Sequence, residues 1–173
     1  PDQYYVVSVR APHDLHPYGH AWYAINFDDA QNKFSDNAQA RSSRDLIARF
    51  IDELVTDLPV DPREITLIGF SQGAILSYAV ALSYPEKIKN VIALSGYLNT
   101  DILGDAYEEN DFSRLNMFIS HGISDQVIPV DWARKAPDLL RSLGIGVTYR
   151  EYPIGHGVSP QNFYDLKNWL ENN

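Results

Sequence analysis

Apolar positions along the chain gather into five short runs rich in β-branched and aromatic residues: Tyr4-Tyr5-Val6-Val7-Ser8-Val9, Ile65-Thr66-Leu67-Ile68, Val91-Ile92-Ala93-Leu94, Met117-Phe118-Ile119-Ser120 and Val147-Thr148-Tyr149-Arg150-Glu151-Tyr152. Each is expected to be a strand. The middle three are apolar almost throughout, as strands covered on both faces are. Helix-period stretches lie between the runs, and that alternation predicts an α/β fold in which crossover helices cover both faces of a parallel sheet.

The clearest helix begins near Ser35 or Asp36, either of which can cap it, and sets Leu46, Ile47, Phe50, Ile51, Leu54, Val55 and Leu58 at three-and-four spacing. Arg44, Arg49, Asp52 and Asp57 fall on the opposite face, which is expected to be solvated, and Pro59 and Pro62 end the element. Further helices are predicted near 72–84, 132–143 and 160–171. Residues 11–33 break this rhythm with Pro12, Pro17, Gly19, three histidines and the aromatics Tyr18, Trp22, Tyr23 and Phe27. Long aromatic loops of this kind are often functional. With no internal repeat or linker, one domain over residues 1–173 is expected.

Composition narrows the function. Fourteen Lys and Arg against 23 Asp and Glu give a net charge of −9, which argues against a basic nucleic-acid surface. No apolar run reaches the roughly 18 residues that cross a bilayer, so no integral membrane segment is expected and cytoplasm is the default location. The absence of cysteine removes thiolate nucleophiles, disulfides, zinc-thiolate sites and iron–sulfur clusters together.

Chemistry concentrates at Gly69-Phe70-Ser71-Gln72-Gly73, directly after the second run and directly before a helix. In a nucleophile elbow, glycines around the serine permit a sharp strand-to-helix turn that lifts Oγ clear of the sheet. A serine hydroxyl needs a base to take its proton, and that base needs an orienting carboxylate. Both follow in the expected order Ser, acid, His. Asp125 comes after the Met117–Ser120 run, and His156 sits between Gly155 and Gly157 after the last run. Strand carboxyl ends are where open α/β sheets assemble their sites, so the three can converge there.

With these residues in view, the chain resembles the phospholipase/carboxylesterase branch of the α/β-hydrolases, which includes acyl-protein thioesterases. The marks of that resemblance are Arg10-Ala11-Pro12, Gly19-His20-Ala21-Trp22-Tyr23, the elbow with Ala74, Leu94-Ser95-Gly96, His121-Gly122 with Asp125, Ile128-Pro129 and Gly155-His156. It implies Ser71 as nucleophile, Asp125 as orienting acid, His156 as general base, the Gln72 backbone amide as one oxyanion donor, and Trp22 near the acyl or leaving-group channel. It also implies an initial His-Gly-x-Gly loop supplying the other oxyanion donor. That loop is absent from these 173 residues, so the chain is expected to be a trimmed version of a longer enzyme, short of about one βαβ unit.

The expected activity is that of a serine carboxylesterase acting on small or medium acyl esters through an acyl-enzyme, with no metal or organic cofactor. An acyl thioesterase or lysophospholipase would use the same triad, and a silent ligand-binding protein would keep the fold without the chemistry. His13, His16 and His20, with Asp14 nearby, match no compact metal-binding spacing and read as a polar loop. His121 reads as a hydrogen-bonded structural residue, Asp101, Asp105, Glu108, Glu109 and Asp111 as solvated surface, and Tyr18, Tyr23 and Phe27 either as walls of an acyl site or as anchors of their loop. An exposed apolar sheet edge would favour a homodimer, although no dimer motif is visible.

Overall fold

The computed structural model of the protein describes residues 4–17, 19–27 and 33–173. Two small antiparallel ribbons come first: β1 (His13–Asp14) with β2 (His20–Ala21), and β3 (Ile25–Phe27) with β4 (Lys33–Ser35). Then come α1 (Asn37–Asp57), β5 (Thr66–Phe70), α2 (Gln72–Ser83), β6 (Asn90–Leu94), β7 (Asn116–Gly122), α3 (Val130–Ala133), α4 (Ala136–Ser142), β8 (Gly146–Tyr152) and α5 (Pro160–Glu171). Strands β5 to β8 form one parallel sheet in sequence order.

Alternation along the strands sorts the core into two layers. Val91, Ala93, Met117 and Ile119 face the larger layer, with α1, α2 and α4; Ile92, Leu94 and Phe118 face α5 through Leu166 and Trp169. Helix α2 is sandwiched between the sheet and α1, which explains why Ala74 through Leu82 are buried all round and show no polar face. The start of α1 is fixed by Asp36, whose carboxylate accepts the Gln39 N–H at 3.0 Å.

Four sequence expectations are corrected. Residues 4–10 form no strand: Val6 is 86% exposed, because β propensity produces a strand only where a neighbouring backbone completes the ladder. Strand β5 is not covered on both faces. It lies at the sheet edge, and Ile68 is 59% exposed where α5 covers β6 and β7 but not β5. The helix expected over 132–143 is two helices, since Pro137 has no N–H to donate to Ala133.

Arg44, placed on the solvated face of α1, is buried at 8% exposure instead. Its Nη1 donates to the Ile102 carbonyl at 2.8 Å, its Nε donates to Asp45 at 2.7 Å, and its guanidinium lies over the Tyr84 ring. The 3₁₀ turn at Thr100–Ile102 packs on that face of α1 and turns a solvated position into an interior one.

These placements separate two substitutions that sequence patterning ranks the other way. Arg44→Leu should lower unfolding free energy by about 1–3 kcal/mol, since the Ile102 carbonyl loses its buried donor. Ile68→Thr should stay within about 0.5 kcal/mol of the parent, as exposed positions do. Urea denaturation of both variants checks the pair.

Candidate active site

Ser71 is the single residue joining β5 to α2, and its backbone sits at φ 55°, ψ −117°. A non-glycine residue held there stores roughly 1–3 kcal/mol of strain, so surrounding contacts must over-determine it. They do. The Ser71 N–H donates to the Leu94 carbonyl at 2.8 Å, and the Ser71 carbonyl accepts from Ala74 and Ile75 at 3.0 and 3.2 Å. Gly69 is demanded by space, because any side chain would collide with the backbone of Gly73 and Ala74. Gly73 has open space around it, so only one of the two motif glycines is a steric necessity.

In-register pairing brings the carboxyl ends of the strands to one rim, with Phe70 opposite Leu94, Leu94 opposite Ser120, and Gly122 opposite Tyr152. The loop after β7 carries Asp125 and the loop after β8 carries His156. Two backbone bonds stitch these loops together: Ile123 N–H to the Tyr152 carbonyl at 2.9 Å, and Ser124 N–H to the Ile154 carbonyl at 3.0 Å. Gly122 permits this approach, since a Cβ there would strike the carbonyls of Ile154 and Gly155.

Ser71, His156 and Asp125 form an unbroken hydrogen-bonded chain, with 3.0 Å between Ser71 Oγ and His156 Nε2 and 2.7 Å between His156 Nδ1 and Asp125 Oδ2. Burial alone would raise the Asp125 pKa. Donation from His156 and from the Ile128 and Val127 N–H groups outweighs it and holds the carboxyl below its ordinary value. Those two amides reach Oδ1 at 2.9 and 2.8 Å. His121 lies beneath the acid loop, buried, and donates Nε2–H to the Ile128 carbonyl at 2.8 Å; the same nitrogen is 3.2 Å from Asp125 Oδ2.

Gln72 opens α2, so its N–H has no intrahelical acceptor and stands beside the serine. Its side chain does something the motif did not reveal. Oε1 accepts from Trp22 N–H and Nε2 donates to the Tyr23 carbonyl, both at 2.8 Å, which clamps the aromatic loop to the elbow. Phe70 is a second residue that sequence reading missed, with its ring 4.9 Å from that of His156. The only available signal was its place inside the motif.

A cavity of about 160 Å³ opens beside Ser71 and Gln72, walled by Tyr23, Ile75, Val127 and Ile128 among others. The Trp22 ring packs against the main core and is not one of its walls; its neighbour Tyr23 is. Tyr18 lies outside the described residues, as does the Phe27 side chain. His20 Nδ1 is 3.0 Å from Asp14, and among the described residues no group of three or more His, Asp or Glu is placed to hold a metal ion. Asp101, Asp105, Glu108, Glu109 and Asp111 are all exposed. No described helix is long and apolar enough to cross a membrane.

A parallel sheet that carries Ser, Asp and His at its carboxyl rim in that chain order has the architecture of the α/β-hydrolases. Within that class the chain belongs to the phospholipase/carboxylesterase family, which matches residues 3–173. It is 31% identical over 143 residues to an acyl-protein thioesterase 1 of Aspergillus fumigatus, covering 80% of this chain and 59% of that protein. It is 28% identical over 141 residues to a probable carboxylesterase of Oryza sativa, covering 79% and 52%. The chain thus spans between about half and three-fifths of these relatives. Among solved structures, esterase PE8 superposes with a TM-score of 0.81 at 26% identity over 94% of this chain and 75% of that one. A Mesorhizobium loti carboxylesterase, at 19% identity and a TM-score of 0.78 over 95% and 74%, shares the fold.

The two motif glycines should behave differently. Gly69→Ala should cost about 1–3 kcal/mol in urea denaturation through overpacking, whereas Gly73→Ala, inside the first turn of α2, should be neutral or stabilising by up to about 1 kcal/mol. The lowered Asp125 pKa gives a further test with a definite sign. Its charged contacts add stability above the unfolded carboxyl value of about 3.9, and that contribution is lost as pH falls through the lower folded value. The stability gap between parent and Asp125→Asn should therefore be about 1–3 kcal/mol at pH 7 and shrink towards pH 3.

Proposed function

We propose that the protein is a serine carboxylesterase that hydrolyses small or medium acyl esters through an acyl-enzyme. One observation carries this reading: the hydrogen-bonded chain from Ser71 Oγ through His156 to Asp125, opening on a cavity with aliphatic, aromatic and polar walls. His156 Nε2 takes the Ser71 proton as Oγ attacks the acyl carbonyl, and Asp125 holds the imidazole in the tautomer that leaves Nε2 as acceptor. The Gln72 N–H donates to the developing oxyanion. Collapse of the tetrahedral intermediate breaks the bond to the leaving oxygen, which receives its proton from His156. Water then attacks the acyl-enzyme by the same route, releases the acid and restores Ser71.

Relatives named acyl-protein thioesterase favour a second reading with the same residues, in which the leaving atom is sulfur. The triad attacks either carbonyl, so turnover of matched oxygen and sulfur esters separates the two. In both readings a fluorophosphonate probe should label the chain at Ser71, and Ser71→Ala should abolish labelling. Asp125→Asn should lower kcat on p-nitrophenyl butyrate by about 10⁴-fold through the wrong histidine tautomer. Absence of labelling in the parent chain would leave a ligand-binding protein as the reading to adopt.

A further inference from the structure

A second, shallower cavity of about 400 Å³, wide open to solvent, adjoins the one beside Ser71. The two share Ser35, Tyr97 and Trp132 as walls. Tyr97 and Trp132 meet edge to face with ring centroids 5.2 Å apart, so this aromatic pair stands at the junction. The chemistry changes across it. Beyond the shared walls, the inner cavity adds Tyr23, Ile25, Ile75, Val127 and Ile128 to the polar Ser71 and Gln72, while the outer one adds only polar residues, Asn37, Asn99, Asp101 and Lys135. That polar wall is built into the fold. Arg41 Nε holds the Asp101 carbonyl at 2.9 Å, the Asn99 side-chain oxygen accepts the Asp101 N–H at 3.1 Å, and the Asn99 amide faces the Asn37 oxygen at 3.4 Å.

Resting on the esterase reading, the direction of the substrate follows from the proton path. The leaving group must lie within reach of His156 Nε2 to be protonated. His156 is not a wall of the inner cavity, whereas Ser71 and Gln72 are, so the inner cavity receives the acyl side. A space of about 160 Å³ takes a group of about the bulk of benzene, so by volume roughly six acyl carbons fill it before the chain reaches the aromatic pair. We infer that the outer chamber is a subsite for the far end of the acyl group, and that the preferred substrates are esters of acids about eight carbons long ending in a hydroxyl or similar hydrogen-bonding group. A plain alkyl tail of the same length would put methylenes against amides and charges, with no transfer gain.

The test uses p-nitrophenyl esters of straight-chain acids from acetyl to decanoyl, together with the 8-hydroxyoctanoyl ester. kcat/KM should rise about fourfold per methylene as far as roughly hexanoyl and then level off. The 8-hydroxyoctanoyl ester should exceed the octanoyl ester by roughly threefold to tenfold. Trp132→Ala should move the break to longer chains, and Asn99→Leu should erase the hydroxyl preference. A rise that continues through decanoyl, or an octanoyl ester equal to its hydroxylated partner, would overturn the inference. Calorimetric binding of octanamide and 8-hydroxyoctanamide to the Ser71→Ala chain reads the chamber without turnover. Preference for the hydroxyl in binding without hydrolysis by the parent would remove the esterase reading and keep the subsite. Equal binding would remove the subsite even in an active esterase.

Discussion

The structure depends on one sharp turn. Between Phe70 and Gln72 the chain must pass from a strand into a buried helix in a single residue, and Ser71 takes a left-handed φ to do so. The closeness that forces this posture is visible at Gly69, where the backbone of the first helical turn leaves no room for a Cβ. Strain of that size is tolerated because α2 is surrounded by apolar neighbours and cannot rotate to relieve it. The raised position of Ser71 is therefore a consequence of core packing behind it.

Parallel pairing carries the same constraint across the sheet. Once β5 to β8 are in register, the loops after β7 and β8 have one place to go, and the Gly122 contact brings them within backbone hydrogen-bonding distance of each other. Asp125 is then fixed on Oδ1 by two amides, which leaves Oδ2 to meet the imidazole. Its negative charge survives burial because donors on both oxygens replace the lost water. Orientation and charge at this carboxylate have one cause.

The convergence of Ser71, Asp125 and His156 was legible in the sequence because these residues sit at chain reversals, where glycine and polar residues interrupt apolar runs. Strands β6, β7 and β8 and helices α1, α2 and α5 were legible for the same reason: their periodicities are uninterrupted and their neighbours complete them. What escaped depends on who packs against whom. Arg44 reads as surface until a turn some 58 positions away covers it. Ile68 reads as core although α5 does not reach its face of the edge strand, and Tyr4 to Val9 read as a strand although no ladder receives them. The Gln72 clamp escaped because it depends on where a loop some 50 positions earlier happens to lie.

Edge position and the geometry of the Ser71–His156 pair are linked through Phe70. Its side chain projects from the face of β5 that α5 leaves open and is 43% exposed, yet its ring lies against that of His156. The imidazole is therefore held by Asp125 on a well-packed side and by a partly solvated aromatic on the other. Hydrogen bonds at Nδ1 and Nε2 hold both ends of the imidazole, and the Phe70 ring, tilted 51° to it, packs alongside. One strand thus presents an open sheet face, leads into the serine, and supplies an aromatic contact to the histidine bonded to that serine.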